Sequence, residues 1–424
     1  MPALHQFRFL DPRAPGKDQA TYSPGFNGGT LGIANINSIV SFSDIESFIY
    51  DGQGGGDTFT MLGTPGADAF TLTPGAANDA GTLGMDTTLP VTFQNLGSSG
   101  QVVVNGNGGA DSLVYNGTAA NDSFVINSSA LGGQINLNTR VPVLTQNIQT
   151  LSLEGLAGDD TFTLATTIAA SPYTTLNLDG GATASATGNQ ATLTAATSSA
   201  LALSGQKVTQ GGKSVIGTSL QNINLNAANN DLTYNYVSGV TEAVNVISSP
   251  TAGLGQISIP NVALWSFNSV PVVYVNGNTA TNDTLTFTGT SNSDIFNANL
   301  NVQGTDSLPV LQLTDSTAKT LLKLGNYTGF SQLNIYGVDG ADTFNVYTAA
   351  SPTYSRNLYI NGSIPSGKKK LTNVLNVFYT GSKPKIVQSA ATQNPSSGLV
   401  SLDYGSSKDL IQYDGIQNVT IRKQ

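Results

Sequence analysis

The sequence predicts an all-β repeat solenoid. Three observations predict it: a composition built on turn formers, a hydrophobic period of two, and a recurring Gly–x4–Asp–Thr–Phe turn. Of the 26 acidic residues, 23 are Asp, and only Glu46, Glu154 and Glu242 are Glu. Glu favours helices, whereas the short Asp side chain bonds nearby backbone N–H groups and favours turns. Charged residues make up 10% of the chain, against roughly a quarter in ordinary globular domains. The net charge of −9 argues against nucleic acid and anionic membranes as partners. There is no cysteine, which excludes disulfides and thiolate metal sites. No apolar run approaches the roughly 20 residues of a membrane-spanning helix.

The period comes next. In SLVYNG, SFVINS, QINLNT and TLNLDG, apolar and polar residues alternate over short spans bounded by NG, DG, GG or ND dipeptides. Alternation between turn signals marks half-buried strands. No helical stripe longer than about two turns interrupts them. Residues 1–30 carry Pro2, Pro12, Pro15 and Pro24 among several glycines, and are expected to be an irregular leader or cap. The solenoid is expected to occupy 31–424. MPALHQFRFLDPRAP has no apolar core of a secretory signal, so the chain is expected to be a module of a longer exported protein.

The recurring turn gives the repeat. Its best copies are FIYDGQGGGDTFTM (Gly52, Asp57), VVVNGNGGADSLVY (Gly106, Asp111), LSLEGLAGDDTFTL (Gly155, Asp160) and LNIYGVDGADTFNV (Gly337, Asp342). Weaker copies carry Asp283, Asp231 with Asn226, and Asp409 with Gly405. A second element, GT-x3-D-x-F, sets Asp68, Asp122 and Asp294 eleven residues after Asp57, Asp111 and Asp283. Eleven residues suit one strand and one corner. Units of roughly 50–70 residues with variable inserts mark a repeat architecture. Within the turn, Gly permits a close backbone approach. Asp accepts backbone N–H bonds, and the following Phe or Leu enters the core. Phe59, Phe162 and Phe344, with Leu113 and Leu285 as substitutes, are expected to stack inside. A parallel β-helix fits best. A β-propeller of about seven blades is the alternative.

GGGDTF, GGADSL, AGDDTF and DGADTF resemble degenerate hemolysin-type (RTX) nonapeptides. The GT-x3-D-x-F elements resemble the repeats of giant bacterial extracellular β-strand proteins, of the kind found in planctomycetes. The resemblance covers most of 40–350. It implies an extracellular or cell-surface location, and calcium held by turn carboxylates. The candidate ligands are Asp57, Asp111, Asp159, Asp160, Asp339 and Asp342, with Asp68 and Asp122. The doubled sites Asp159–Asp160 and Asp339–Asp342 are preferred because Ca2+ needs six to eight oxygens. The competing reading is that each Asp is a turn-forming scaffold residue, because the nine-residue tandem spacing of RTX arrays is missing.

The expected role is non-catalytic: a structural, surface or adhesion module whose partners are surface or matrix components, glycans, or further copies of itself. No cofactor is expected beyond possible calcium. The rival class is a polysaccharide-active β-helix lyase or hydrolase, in which paired carboxylates act as acid and base. Against it, the Asp residues recur at equivalent turns, whereas a catalytic pair is unique. His5 is the one histidine, and no nucleophile–His pair or P-loop is present. Trp265 reads as core. Lys368–Lys370 read as a solvated loop. Tyr347, Tyr354 and Tyr359 read as core packing or an exposed patch.

Overall fold

The computed structural model describes residues 6–10, 16–277, 283–300, 311–328, 332–349, 356–363, 372–390 and 396–424. His5, Tyr354 and Lys368–Lys370 lie outside them. Among the described residues there are 39 strands and two single-turn 3-10 helices, and no α-helix. The chain divides into two compact units: Met1–Ala196 with Thr209–Asn224, and Thr197–Val208 with Leu225–Gln424.

Each unit is built from two sheets that the chain visits alternately. In the first unit, one sheet sets Gln6–Leu10, Ser47–Asp51 and Val91–Gln94 side by side in parallel. Gly81–Met85 and Ala69–Pro74 follow as an antiparallel pair. Then Asp111–Asn116, Ile148–Glu154, Thr175–Asp179 and Lys213–Thr218 continue in parallel. The other sheet follows the same rule. Thr58–Leu62, Gln101–Asn105 and Val143–Gln146 are parallel. Gly133–Leu137 and Ser123–Ser128 are antiparallel, and parallel pairing resumes with Thr161–Thr167 and Gln190–Thr194.

The second unit repeats the plan. One sheet runs Leu232–Asn235, Val273–Asn276, Thr320–Thr328, Leu311–Asp315, Asp294–Asn299, Thr343–Ala349, Val374–Thr380 and Asn418–Lys423. The other runs Ala243–Ser248, Thr284–Thr288, Gln332–Tyr336, Arg356–Asn361 and Lys408–Asp414 in parallel. These are β-solenoid coils. Successive coils pair in parallel, which a propeller blade, an antiparallel meander, does not do. Each series of pairings in the described residues stays open at both ends, so no barrel forms.

Some coils carry a three-stranded antiparallel meander. The chain advances along the sheet, doubles back over two strands, and returns beside the previous coil. Ala69–Pro74, Gly81–Met85 and Val91–Gln94 form one such meander; Asp294–Asn299, Leu311–Asp315 and Thr320–Thr328 form another. A plain coil needs as few as 25 residues, as between Ser152 and Asn177, while coils with a meander need about 40 or more. The 50–70-residue unit in the sequence is therefore not one coil.

Period-two alternation turns every second side chain inward. Phe59, Phe162, Phe344, Leu113 and Leu285 are all buried, as their turn position requires. Phe124 stacks on Phe162 with centroids 5.3 Å apart, and Phe296 on Phe344 at 4.9 Å. Each such ring stabilises its unit by about 1.5–3 kcal/mol through burial alone. Trp265 is buried, and its Nε1 donates to the Gly205 carbonyl at 3.0 Å. Within 1–30, expected as an irregular or capping segment, strands form at Gln6–Leu10, Gln19–Gly25 and Gly28–Ile33. The alternation of QFRFL and ATY outweighs the nearby prolines. Pro24 is tolerated because it lies near the hairpin end, opposite Gly29.

Candidate functional site

The chemistry of the chain is concentrated at the corners between sheets, where buried acids and amides form rows. In every row the backbone N–H of one corner residue donates to the side-chain oxygen of its counterpart one coil further on. In the first unit, Asp122 N–H donates to Asp160 Oδ1 at 2.8 Å, Asp160 to Asn189 Oδ1 at 2.7 Å, and Asn189 to Gln221 Oε1 at 2.5 Å. At its other corners, Asp68 donates to Asp111 Oδ1 at 2.9 Å, Asp111 to Gln149 Oε1 at 2.6 Å, and Asp18 to Asp57 Oδ1 at 2.9 Å. In the second unit, Asp294 donates to Asp342 Oδ1 at 2.9 Å, Asp342 to Asn373 Oδ1 at 2.8 Å, and Asn373 to Gln417 Oε1 at 2.6 Å. Glu242 donates to Asp283 Oδ1 at 3.0 Å. A buried N–H without a partner is costly, so each bond pins one coil to the next.

The two sequence elements give two kinds of corner. In GT-x3-D, both carboxylate oxygens accept. Asp122 takes the Thr118 N–H at 2.6 Å on Oδ2, the Thr118 hydroxyl at 3.1 Å, and the Asn138 amide at 2.7 Å on Oδ1. Thr64 holds Asp68, and Thr290 holds Asp294, in the same way. Asp68, Asp122 and Asp294 each open a meander: Ala69–Pro74, Ser123–Ser128 and Asp294–Asn299 follow.

In Gly–x4–Asp the residue after Gly adopts a left-handed backbone: Gln53 (φ 62°), Asn107 (65°), Leu156 (71°) and Val338 (73°). The N–H groups of Gln53 and Asn107 donate to Asp51 Oδ1 and Asn105 Oδ1. Asp111, Asp160 and Asp342 are each left with one used oxygen. Asp111, Asp160 and Asp342 are buried, and their Oδ2 atoms have no hydrogen-bond partner. Burial raises all three carboxyls, helped by acids alongside: Asp68 and Asp86 at Asp111, Asp122 and Asp159 at Asp160, Asp294 and Asp339 at Asp342. Asp160 is pushed up to about 6 and Asp342 to about 8.

The sequence-derived calcium candidates do not converge. Asp160 and Asp342 point inward, while Asp159 and Asp339 are half-exposed. Asp159 Oδ1 accepts from the Ala184 and Ser185 N–H groups, both at 2.9 Å; bonds from Ser185 and these amides lower its pKa. Asp57 and Asp111 each give Oδ1 to a neighbouring coil. Among the described residues no group of three or more His, Cys, Asp or Glu is placed to hold a metal ion.

Sequence reasoning located Asp57, Asp111, Asp160 and Asp342 but missed Asn189, Asn373, Gln149, Gln221 and Gln417. Asp231, read as the anchor of a weak copy, is exposed; the adjacent Asn230 is the buried one and accepts the Ser199 N–H at 3.2 Å. Asp409, the anchor of another weak copy, is buried and accepts the Thr348 hydroxyl. Tyr347 lies half-buried on an outer sheet face, stacked on Phe378 at 5.1 Å. Tyr359 packs edge-on against Tyr336. An open depression of about 300 Å3 is lined by Asp51, Gln53, Gly54, Asp79 and Asn95. Its acids are engaged: Asp51 by Arg8 at 2.6 Å and by Asn95 at 2.9 Å, and Asp79 by the Gly97 N–H at 2.9 Å. No protein-family model matches the chain, and no curated protein is similar to it.

Proposed function

We propose that the chain is a non-catalytic structural module of an extracellular or cell-surface protein, presenting Thr-, Ser- and Asn-rich sheet faces to matrix components or glycans. One observation carries this reading. The buried acids and amides recur at equivalent corners and spend their hydrogen bonds on the neighbouring coil. A hydrolase or lyase needs one unrepeated pair of carboxyls open to substrate. The outer faces support the same role: Asn297, Asn345 and Asn376 bond side chain to side chain across adjacent strands at 3.0 Å, giving a regular amide row of the kind that meets hydroxyl-rich polymers.

The test is to incubate the full chain with neutral and uronate-containing polysaccharides, then measure both retention and reducing ends. Retention on at least one polymer without new reducing ends is the expected result. Release of reducing ends would place the chain with polysaccharide-active enzymes instead.

A further inference from the structure

The two Asn corners show what the unpartnered oxygen of the Asp corners is facing. A Cβ added to Gly155 or Gly337 would collide with Asp160 Oδ2 or Asp342 Oδ2; one added to Gly180 or Gly362 would collide with Asn189 Nδ2 or Asn373 Nδ2. Oδ2 and Nδ2 therefore occupy the same place in the corner. In the Asn corners that place is lined by acceptors. Asn373 Nδ2 donates to the carbonyls of Gly362 (2.5 Å), Gly415 (3.0 Å) and Ser363 (3.1 Å). Asn189 Nδ2 donates to Ser219 at 3.1 Å. In the Asp160 corner the Gly180 carbonyl of the next coil lines the same spot, at Asp111 that of Asn147, and at Asp342 the Phe344 ring, which offers a charged oxygen no donor either. An ionised oxygen held against carbonyl oxygens is repelled. A protonated one donates, as Asn does.

We propose that Asp342 and, below neutral pH, Asp160 carry a proton on Oδ2, the atom that stands where the Asn corners hold their amide nitrogen, so that a proton, not calcium, completes these corners. The same geometry holds at Asp111. The charged groups facing them act in one direction, opposed by the N–H bond from Asp122 or Asp294. Asp160 has Asp122 in the preceding coil, Asp159 in its own turn and neutral Asn189 in the next. Asp342 has Asp294, Asp339 and neutral Asn373. No cation is among these neighbours. Burial and like charge both raise the carboxyls, to about 6 for Asp160 and about 8 for Asp342. An acid with a raised folded pKa binds its proton more tightly when folded. Its stabilisation is complete below the unfolded value, near pH 4, and is lost as pH rises through the folded value. The proposal does not depend on the surface role.

The test is thermal melting of the full chain in EDTA from roughly pH 5 to 9, for wild type and for D160N combined with D342N. Wild type is expected to lose melting temperature steadily as pH rises, and the double variant to lose much less, ending above wild type at the alkaline end. D122N is the contrast. Its amide would set N–H groups against either the Thr118 N–H or the Asn138 amide, so it is expected to melt lower at every pH. A double variant that keeps the wild-type pH slope overturns the proposal. So does calcium raising the wild-type melting temperature at alkaline pH by an amount the double variant lacks. Should the double variant fail to fold, infrared spectra of wild type decide. A protonated-carboxyl band present at neutral pH and lost in alkali supports the proposal, and its absence at neutral pH overturns it.

Discussion

Two rows of corner residues, one in each unit, carry the same side chains in the same order over different lengths of chain. In the first unit Asp122, Asp160, Asn189 and Gln221 follow one another at 38, 29 and 32 residues. In the second, Asp294, Asp342, Asn373 and Gln417 follow at 48, 31 and 44. Each row opens with a Thr-held Asp that starts a meander, continues with a Gly–x4–Asp corner, and closes on Gln. The first lies just before Thr161–Thr167, the second just before Thr343–Ala349. Corner chemistry is thus independent of coil length. The inserts absorb the difference.

If the two rows are equivalent, matched substitutions should cost the same in both. The largest effect is expected in the core. Phe162→Ala and Phe344→Ala each remove a ring stacked on its neighbour, and each should cost about 3–5 kcal/mol in denaturant unfolding of the affected unit. A cost in one unit less than half that in the other would break the equivalence. Next come Gly155→Ala and Gly337→Ala. The added methyl meets a buried carboxyl oxygen, and at Gly155 also the Gly180 carbonyl of the next coil, so a loss of about 1–3 kcal/mol is expected. Unchanged melting in either variant would show that the corner has more room than its neighbours imply.

The smallest effect separates the rows. Leu156 and Val338 both hold a left-handed backbone, at φ 71° and 73°, with exposed side chains. This conformation is worst for a β-branched residue. Val338→Gly should raise stability by about 1 kcal/mol, and Leu156→Gly by less. A larger gain at 156 than at 338 would contradict the steric account.

Much of this fold was legible because its signals are local. Alternation gave the strands, and the Gly–Asp interval gave the corners. The Phe two residues beyond Asp gave the interior stack at Phe59, Phe162 and Phe344. What stayed hidden depends on the neighbouring coil. Asn189 and Asn373 follow their glycines by longer loops, and nothing near them marks them as partners of Asp160 and Asp342. The glutamines are marked only by N–H groups 32 to 44 residues earlier. The sequence also does not show how paired acids divide: Asp160 is buried at its corner, while the adjacent Asp159 is half-exposed.

The meanders have a mechanical meaning. Each one is chain folded back on a sheet that parallel pairing would otherwise continue without it. The excursion from Ala69 to Gln94, pulled straight, would release roughly 80–90 Å of length. Its flanking corners sit outside it: Asp68 to Asp111 on one side and Asp57 with Asp18 on the other. Under tension, such a loop can pay out while the pinned corners hold, so a meander acts as slack stored within a stiff array.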